Sequence, residues 1–262
     1  TPLALAIEAG LRRVVKELLA RGARVDTHRA GDGWTPLHLC AKSGNALLME
    51  LLLEAPLADA GVRTSRLETP LSVACFHGHL SVVDMLLGRD DEVAGGGTSS
   101  KGQHEDTGSA DGSSGRSSTV LVAPGARGPS IAARGSRRHA EDRTWTGRTP
   151  LHQAALRGHT EVVLRLLAHG VSPDPTDCRG ATPLHLASCG GRWVAARELV
   201  QRGRASVLLT TGDGDTVLHA AAWSAAAAGS AERGVKLLLQ YGAEVDARNR
   251  LGSTGEISRG CR

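Results

Sequence analysis

Aromatic side chains are scarce in this chain: of 262 residues, four are Trp, one is Tyr and one is Phe, 2% in all. A core with so few rings must be filled by Leu, Val and Ala, which suits short helices packed at close range. Long apolar runs are missing too, and no stretch approaches the ~20 residues that a membrane span needs. There is no signal peptide and no initiator Met. Residue 1 is Thr and already lies inside a motif, so the sequence reads as a piece of something longer. The cysteines (Cys40, Cys75, Cys178, Cys189, Cys261) are odd in number and scattered, without a Cys-x-x-Cys pair. That argues against a disulfide framework and for a reducing compartment, cytoplasmic or nuclear. Neither sign of charge dominates: the net charge is +4, with Lys and Arg spread along the chain, so charge alone makes no case for nucleic acid. What is present, 40% hydrophobic and 22% charged residues, is the composition of a soluble globular chain of one or two domains.

One phrase recurs: Thr1-Pro-Leu-Ala4, Thr35-Pro-Leu-His38, Thr69-Pro-Leu-Ser72, Thr149-Pro-Leu-His152, Thr182-Pro-Leu-His185 and Thr216-Val-Leu-His219. The Thr positions lie 34, 34, 80, 33 and 34 residues apart, a regular period broken once by an insertion. The phrase and its ~33-residue period resemble the ankyrin family, whose signature is Thr-Pro-Leu-His-x-Ala. The match covers about 1–94 and 144–248. The resemblance implies an all-α solenoid of helix-turn-helix units joined by hairpin loops, and partner binding rather than catalysis.

The phrase also has its own physics. Thr is an N-cap, accepting a bond from an otherwise unpaired helical N–H. Pro at the first helical position loses nothing, because its missing N–H had no partner there. His three residues after the cap occupies the capping-box position and can reach back to the Thr. Gly then stops the first helix at Gly10, Gly44, Gly78, Gly158 and Gly191. The second helix is apolar at helical spacing, as in Val82, Val83, Leu86, Leu87 and Val162, Val163, Leu166, Leu167, and ends at Gly22, Gly170, Gly203 and Gly242. Helices this short are unstable alone in water, so stability must come from stacked neighbours.

The period divides the chain into repeats one to three (1–94), an insertion (95–142), repeats four to six (143–251) and a truncated or decayed seventh repeat (252–262). The insertion is rich in Gly, Ser and Arg and cannot bury enough apolar surface to offset its ordering entropy, so disorder is expected there. Its Ser117, Ser118 and Ser130 lie near Arg116 and Arg127, which leaves open a docking or phosphorylation segment beside a plain spacer. Pro56 stands where other repeats have the terminating Gly, so that hairpin should be irregular. Ala225–Ser230 exceeds the family length and implies a longer turn between the helices of repeat six.

Eleven histidines invite a metal or catalytic reading. Four of them (His38, His152, His185, His219) are capping residues about 10 Å apart in a stacked array and cannot share a ligand. Cys75-Phe-His77-Gly-His79 is the one compact cluster of metal-capable side chains, and it lacks a fourth ligand. No phosphate loop, dinucleotide fingerprint or nucleophile elbow occurs. The expectation is a non-enzyme without cofactor, metal or small-molecule substrate.

In the family it resembles, partners sit on the concave side, against hairpin tips and the outward positions of the first helices. Repeat register places Trp34 and Lys42 there in repeat two. Arg63, Arg66, Phe76 and His77 follow in repeat three, then Arg143, Trp145, Arg148, Leu156 and Arg157 in repeat four. Arg179 belongs to repeat five, and Trp223 to repeat six beside Asp213 and Asp215. Four of the six aromatics thus fall at variable surface positions, and Trp and Arg are frequent interface anchors. The expected partner is a protein segment with acidic residues. The alternatives are a regulatory ankyrin segment of a larger enzyme or channel and, more distantly, nucleic-acid binding.

Overall fold

The computed structural model describes residues 1–88, 139–225 and 231–254. Among them are twelve α-helices and no strand. They run in pairs: α1 (Pro2–Glu8) with α2 (Arg12–Ala20), α3 (Pro36–Ser43) with α4 (Ala46–Glu54), and α5 (Pro70–His77) with α6 (Leu80–Gly88). After the insertion come α7 (Pro150–Arg157) with α8 (Thr160–Ala168), α9 (Pro183–Cys189) with α10 (Trp193–Gln201), and α11 (Val217–Ala225) with α12 (Ala231–Gln240). Each first helix packs on the first helix of the next pair, and each second helix on the next second helix, so two parallel layers run the length of the array.

The small residues of the first helices set this spacing. Leu37, Leu71, Leu151 and Leu184 are buried with Ala41, Ala74, Ala154, Ala155 and Ala187. In the second layer Val82, Val83, Leu86, Leu87, Val162, Val163 and Leu166 are buried. Each fully buried Leu or Val is worth about 1.5–3 kcal/mol, and only stacking supplies it. Repeat one has described structure on one side only, and there Val14 and Leu11 remain exposed.

The capping histidines do more than cap. Thr149 N donates to His152 Nδ1 at 3.1 Å while His152 Nε2 reaches the Ala181 carbonyl of the next repeat at 3.0 Å. A carbonyl only accepts, so the proton sits on Nε2 and Nδ1 is the acceptor. The same bridge runs from His38 to Glu68 O (2.9 Å), from His185 to Asp215 O (3.2 Å) and from His219 to Ser253 O (2.8 Å). Burial lowers the pKa of His38 and His152 to about 4, and also lowers that of His185. Repeat three has Ser72 at this position. Its short side chain bonds Thr69 and has no reach to the next repeat.

That bridge is missing at the junction that carries the insertion, yet the stack continues through it. The hairpin tips form a ladder of backbone bonds: Ser65 N to Asp32 O, Trp145 N to Arg66 O, and Cys178 N to Thr146 O, each at 3.0 Å. Gly212 N to Arg179 O (2.7 Å) and Arg250 N to Asp213 O (2.9 Å) complete it. Arg63 adds an ion pair with Asp142 at 2.6 Å, and Asp142 also takes His139 Nδ1 at 2.6 Å. Residues 139–142, which the period assigns to the insertion, are thus among the described residues, and Ala140 is buried. Composition alone could not see this, because the anchor is a contact with residues 79 positions away. Of the insertion at 95–142, where disorder is expected, residues 95–138 lie outside the described residues, Ser117, Ser118 and Ser130 among them. The lengthened turn after Ala225 and the tail beyond Thr254 also fall outside them. The Pro56 hairpin is irregular: α4 ends on an extended Ala55, and Leu57 adopts a positive φ of 67°.

Candidate functional site

The surface formed by α3, α5, α7 and the hairpin tips holds most of the side chains singled out by register. Its middle is a shallow depression of about 130 Å³, lined by Trp34, Glu68, Ser72, Val73, Phe76, His77 and Gln153. Ser72 and Val73 form a buried floor; Trp34, Phe76 and His77 are half-buried walls. Lys42 Nζ lies 5.6 Å from the centre of the Trp34 ring, and the Arg157 guanidinium 4.1 Å from that of Phe76. Each cation meets the negative face of a ring, which orders a long side chain without neutralising it. The Phe76 and His77 rings meet edge to face at 5.2 Å, and Leu156 is half-buried one residue before Arg157.

Two glycines make this arrangement possible. Gly44 and Gly78 end α3 and α5 with φ of 73° and 79°. A Cβ on either would meet an imidazole ring at 2.4 Å, that of His79 over Gly44 and that of His159 over Gly78. With no Cβ in the way, His79 Nε2 donates to Lys42 O at 2.9 Å and His159 Nε2 donates to Phe76 O at 3.1 Å. The histidine after each helix-ending Gly thus fixes the backbone of a surface residue in the repeat before it. The targets of these two histidines lie on the preceding repeat, 37 and 83 residues away, where local spacing does not reach. The Gly-His pair that recurs at Gly78 and Gly158 was the available signal.

The cations divide into two groups. Arg63 is committed to Asp142. Arg143 donates to the carbonyls of Gly147 and Thr176, and Arg148 lies 3.5 Å from the buried carboxylate of Asp177. Asp177 in turn accepts the N–H groups of Arg179 and Ala181, so Arg148 helps hold a hairpin tip. Lys42, Arg66, Arg157 and Arg179 make no ion pair among the described residues. Trp145 is 66% exposed at its tip, with its backbone bonded to Arg66. Trp223 is 49% exposed on α11, two repeats beyond the Gln153 edge of the depression.

The remaining candidates for chemistry are quiet. Burial pushes the Cys40 thiol up to about 12 and raises that of Cys75 as well, which makes both inert. Among the described residues no three His, Cys, Asp or Glu side chains converge on a metal position. No described helix is long and apolar enough to cross a membrane.

Against known proteins, the model of the family "Ankyrin repeats" matches in three copies, at 1–94, 130–205 and 173–249. Tyrosine-protein kinase HTK16 of Hydra vulgaris is 30% identical over 189 residues, 71% of this chain and 19% of the kinase. Human SMC5-SMC6 complex localization factor protein 1 is 38% identical over 112 residues, 42% of this chain and 10% of that protein. A transient receptor potential cation channel subfamily A member 1 homolog of Caenorhabditis elegans is 33% identical over 101 residues, 38% of this chain and 8% of the channel. The chain thus spans a fifth or less of the length of these curated relatives. Among solved structures, the ankyrin repeat domain of human ASB11 superposes with a TM-score of 0.68 and 26% identity, covering 97% of this chain and 90% of that one. The ankyrin repeat domain of Bcl-3 superposes with a TM-score of 0.66 and 23% identity, covering 97% and 92%, a likeness of fold alone.

Proposed function

The chain belongs to the ankyrin repeat family, and from that premise we propose that it is a protein-interaction scaffold or adaptor that holds a partner segment on the face of α3, α5 and α7. Ankyrin repeats are generally protein-binding modules. The observation that carries the reading here is the convergence of Trp34, Lys42, Phe76, His77 and Arg157 around one depression. Half-buried rings offer apolar area that a partner can finish desolvating, and ring-bound cations without carboxylate partners offer charge. The partner is an acidic segment with apolar side chains. It runs from the depression toward the tips, where Trp145, Arg66 and Arg179 extend the surface. Arg63, Arg143 and Arg148 contribute by holding those tips in place. The protein carries no reaction of its own, and its four free described cysteines suit a reducing compartment, cytosol or nucleus.

The experiment compares proteins captured by the intact array with those captured by Trp34→Ala/Trp145→Ala, then measures both rate constants for a captured partner. Lys42→Glu/Arg157→Glu should slow association and weaken its salt dependence, while Trp34→Ala should speed dissociation. If none of these variants changes either rate, the interface lies elsewhere. A second reading is favoured by the relatives: the matched regions of a kinase and a channel are small parts of much longer proteins. Here the array would regulate an enzyme or channel domain in the same chain. Extending the open reading frame on both sides tests it, and a frame that encodes only this array refutes it.

A further inference from the structure

In four repeats the residue three places after the Thr is the bridging histidine, but in repeat one it is Ala4 and in repeat three Ser72. Both substitutes are too short to reach the next repeat. The carbonyls that their bridges would meet are those of Trp34 and Arg148. Among the described residues these accept from the hairpin N–H groups of Arg29 (2.7 Å) and Thr144 (2.9 Å), and no imidazole joins them. Each small residue also lines a depression that has Trp34 as a wall. Ser72 lies in the floor of the one already described, on the side of repeat three. Ala4 lies in a second, of about 220 Å³ on the side of repeat one, where Pro36 and Leu39 add apolar surface. Trp34 borders a third as well, of about 270 Å³ at the hairpin tips, with Arg29, Asp32, Ser65 and Arg66 around it.

Resting on the reading of this face as the partner-binding surface, we propose that Trp34 is a ridge that fits between two apolar side chains of an extended partner strand. The two side chains are alternate residues of the strand. They sit in the depressions that the missing imidazoles leave at Ala4 and Ser72, and a flanking acidic side chain meets Arg66 at the tips.

Spacing favours a strand. Carbon atoms touch at ~3.5–4.0 Å, so groups on opposite sides of one ring sit ~7–8 Å apart. Alternate strand residues face the same way and lie ~6.6 Å apart, whereas neighbours on a helix face come to ~5–6 Å between Cβ atoms. The charged residues decide which depression takes which side chain. Glu68 lines the Ser72 depression and makes no ion pair among the described residues, so a carboxylate would meet like charge there and an apolar group does not. In the tip depression Arg29 is already paired with Asp32 and Glu8, while Arg66 is not paired. The balance there is positive, and the acidic side chain belongs at that place.

The test uses the whole chain and terminally blocked, dye-labelled Ser peptides that carry two Leu with a Glu on either flank. In the first peptide the Leu residues lie two apart and in the second four apart; in the third, Lys replaces each Glu of the first. Binding is read by fluorescence anisotropy and stability by urea unfolding. The first peptide should bind about tenfold more tightly than the second, the order expected for one Leu left out of its seat. Ser72→His and Ala4→His should each weaken the first peptide by a similar factor without lowering the urea midpoint, since the imidazole fills the seat and restores a bridge. Arg66→Gln should weaken it less, and less still at high salt. Equal affinity for the two spacings, or tighter binding of the second peptide, overturns the strand. A urea midpoint that falls in both His variants shows that no imidazole space was left vacant. Undiminished binding in both shows that these depressions are not the seats. Tighter binding of the Lys peptide overturns the role of Arg66 and makes Glu68 the anchor. No binding of any peptide overturns the strand alone, since the face as a whole is judged by the rates of Lys42→Glu/Arg157→Glu and Trp34→Ala with a captured partner.

Discussion

Acid should dismantle this array well above the pH at which carboxylates titrate, and the capping histidines set the size of the effect. In the fold, His38 and His152 are neutral, with Nδ1 accepting from a Thr backbone N–H and Nε2 donating to the next repeat. A proton on Nδ1 would set one N–H against another, and burial disfavours the charge. The folded pKa of each is accordingly about 4, against ~6.5 in the unfolded chain. Above pH ~6.5 neither state is protonated and stability is at its full value. As the pH falls from ~6.5 toward 4, the unfolded chain binds protons that the fold refuses, and stability is lost over that window. At pH 5 the loss is about 2 kcal/mol per histidine, about 4 kcal/mol for the pair, and His185 adds to it with the same sign. Glu68 and Asp174 have raised pKa values, so they act in the opposite direction, mainly below that pH. A domain with ~5–15 kcal/mol to lose would be close to melting. Urea unfolding followed by circular dichroism, between pH 7.5 and about 5, measures the slope. His38→Gln/His152→Gln is the companion: Gln keeps the capping-box bond to Thr but abandons the next repeat. This variant should be weaker at pH 7.5 and lose less toward acid, keeping only the slope that His185 contributes. Unfolding free energy that stays constant between pH 7 and 5 in the wild type would refute the assignment of these histidines as neutral bridges.

Gly44→Ala should cost about 2–3 kcal/mol, because it adds a clash with the His79 ring to the strain of a positive φ. Gly22→Ala, at φ 82° with open space around it, should cost only about 1 kcal/mol; equal losses in urea unfolding would show that the His79 contact is unimportant. Trp145→Ala, at a 66% exposed position, should leave stability within about 0.5 kcal/mol. It should speed dissociation of a partner by the equivalent of about 2 kcal/mol, and an unchanged off-rate removes Trp145 from the interface. Limited proteolysis should cut first between 95 and 138, the Gly/Ser/Arg-rich stretch. The flanking blocks should stay associated through the Arg66–Trp145 and Arg63–Asp142 contacts; early cuts within 1–88 would contradict the continuous stack.

The sequence alone carried the repeat period, the cap and stop residues of the helices and the apolar face that each pair buries. These are local matters: a Thr three residues before a His, or a Gly after the last turn, acts through bonds to its own helix. Register also placed Trp34, Lys42, Phe76, His77 and Arg157 on one surface, because equivalent positions in a stacked array point the same way. What it could not assign was the second nitrogen of each capping histidine, the partners of His79 and His159, or which arginines stay uncommitted. Those bonds end on backbone carbonyls some 30 residues away or more, and on one carboxylate 79 residues away. Only stacking brings such atoms within reach. Six arginines shared one register pattern in the sequence, yet Arg63, Arg143 and Arg148 found partners within the fold while Arg66, Arg157 and Arg179 make no ion pair among the described residues. That division follows from where Asp142, Thr176 and Asp177 come to rest, and the tertiary structure alone decides it.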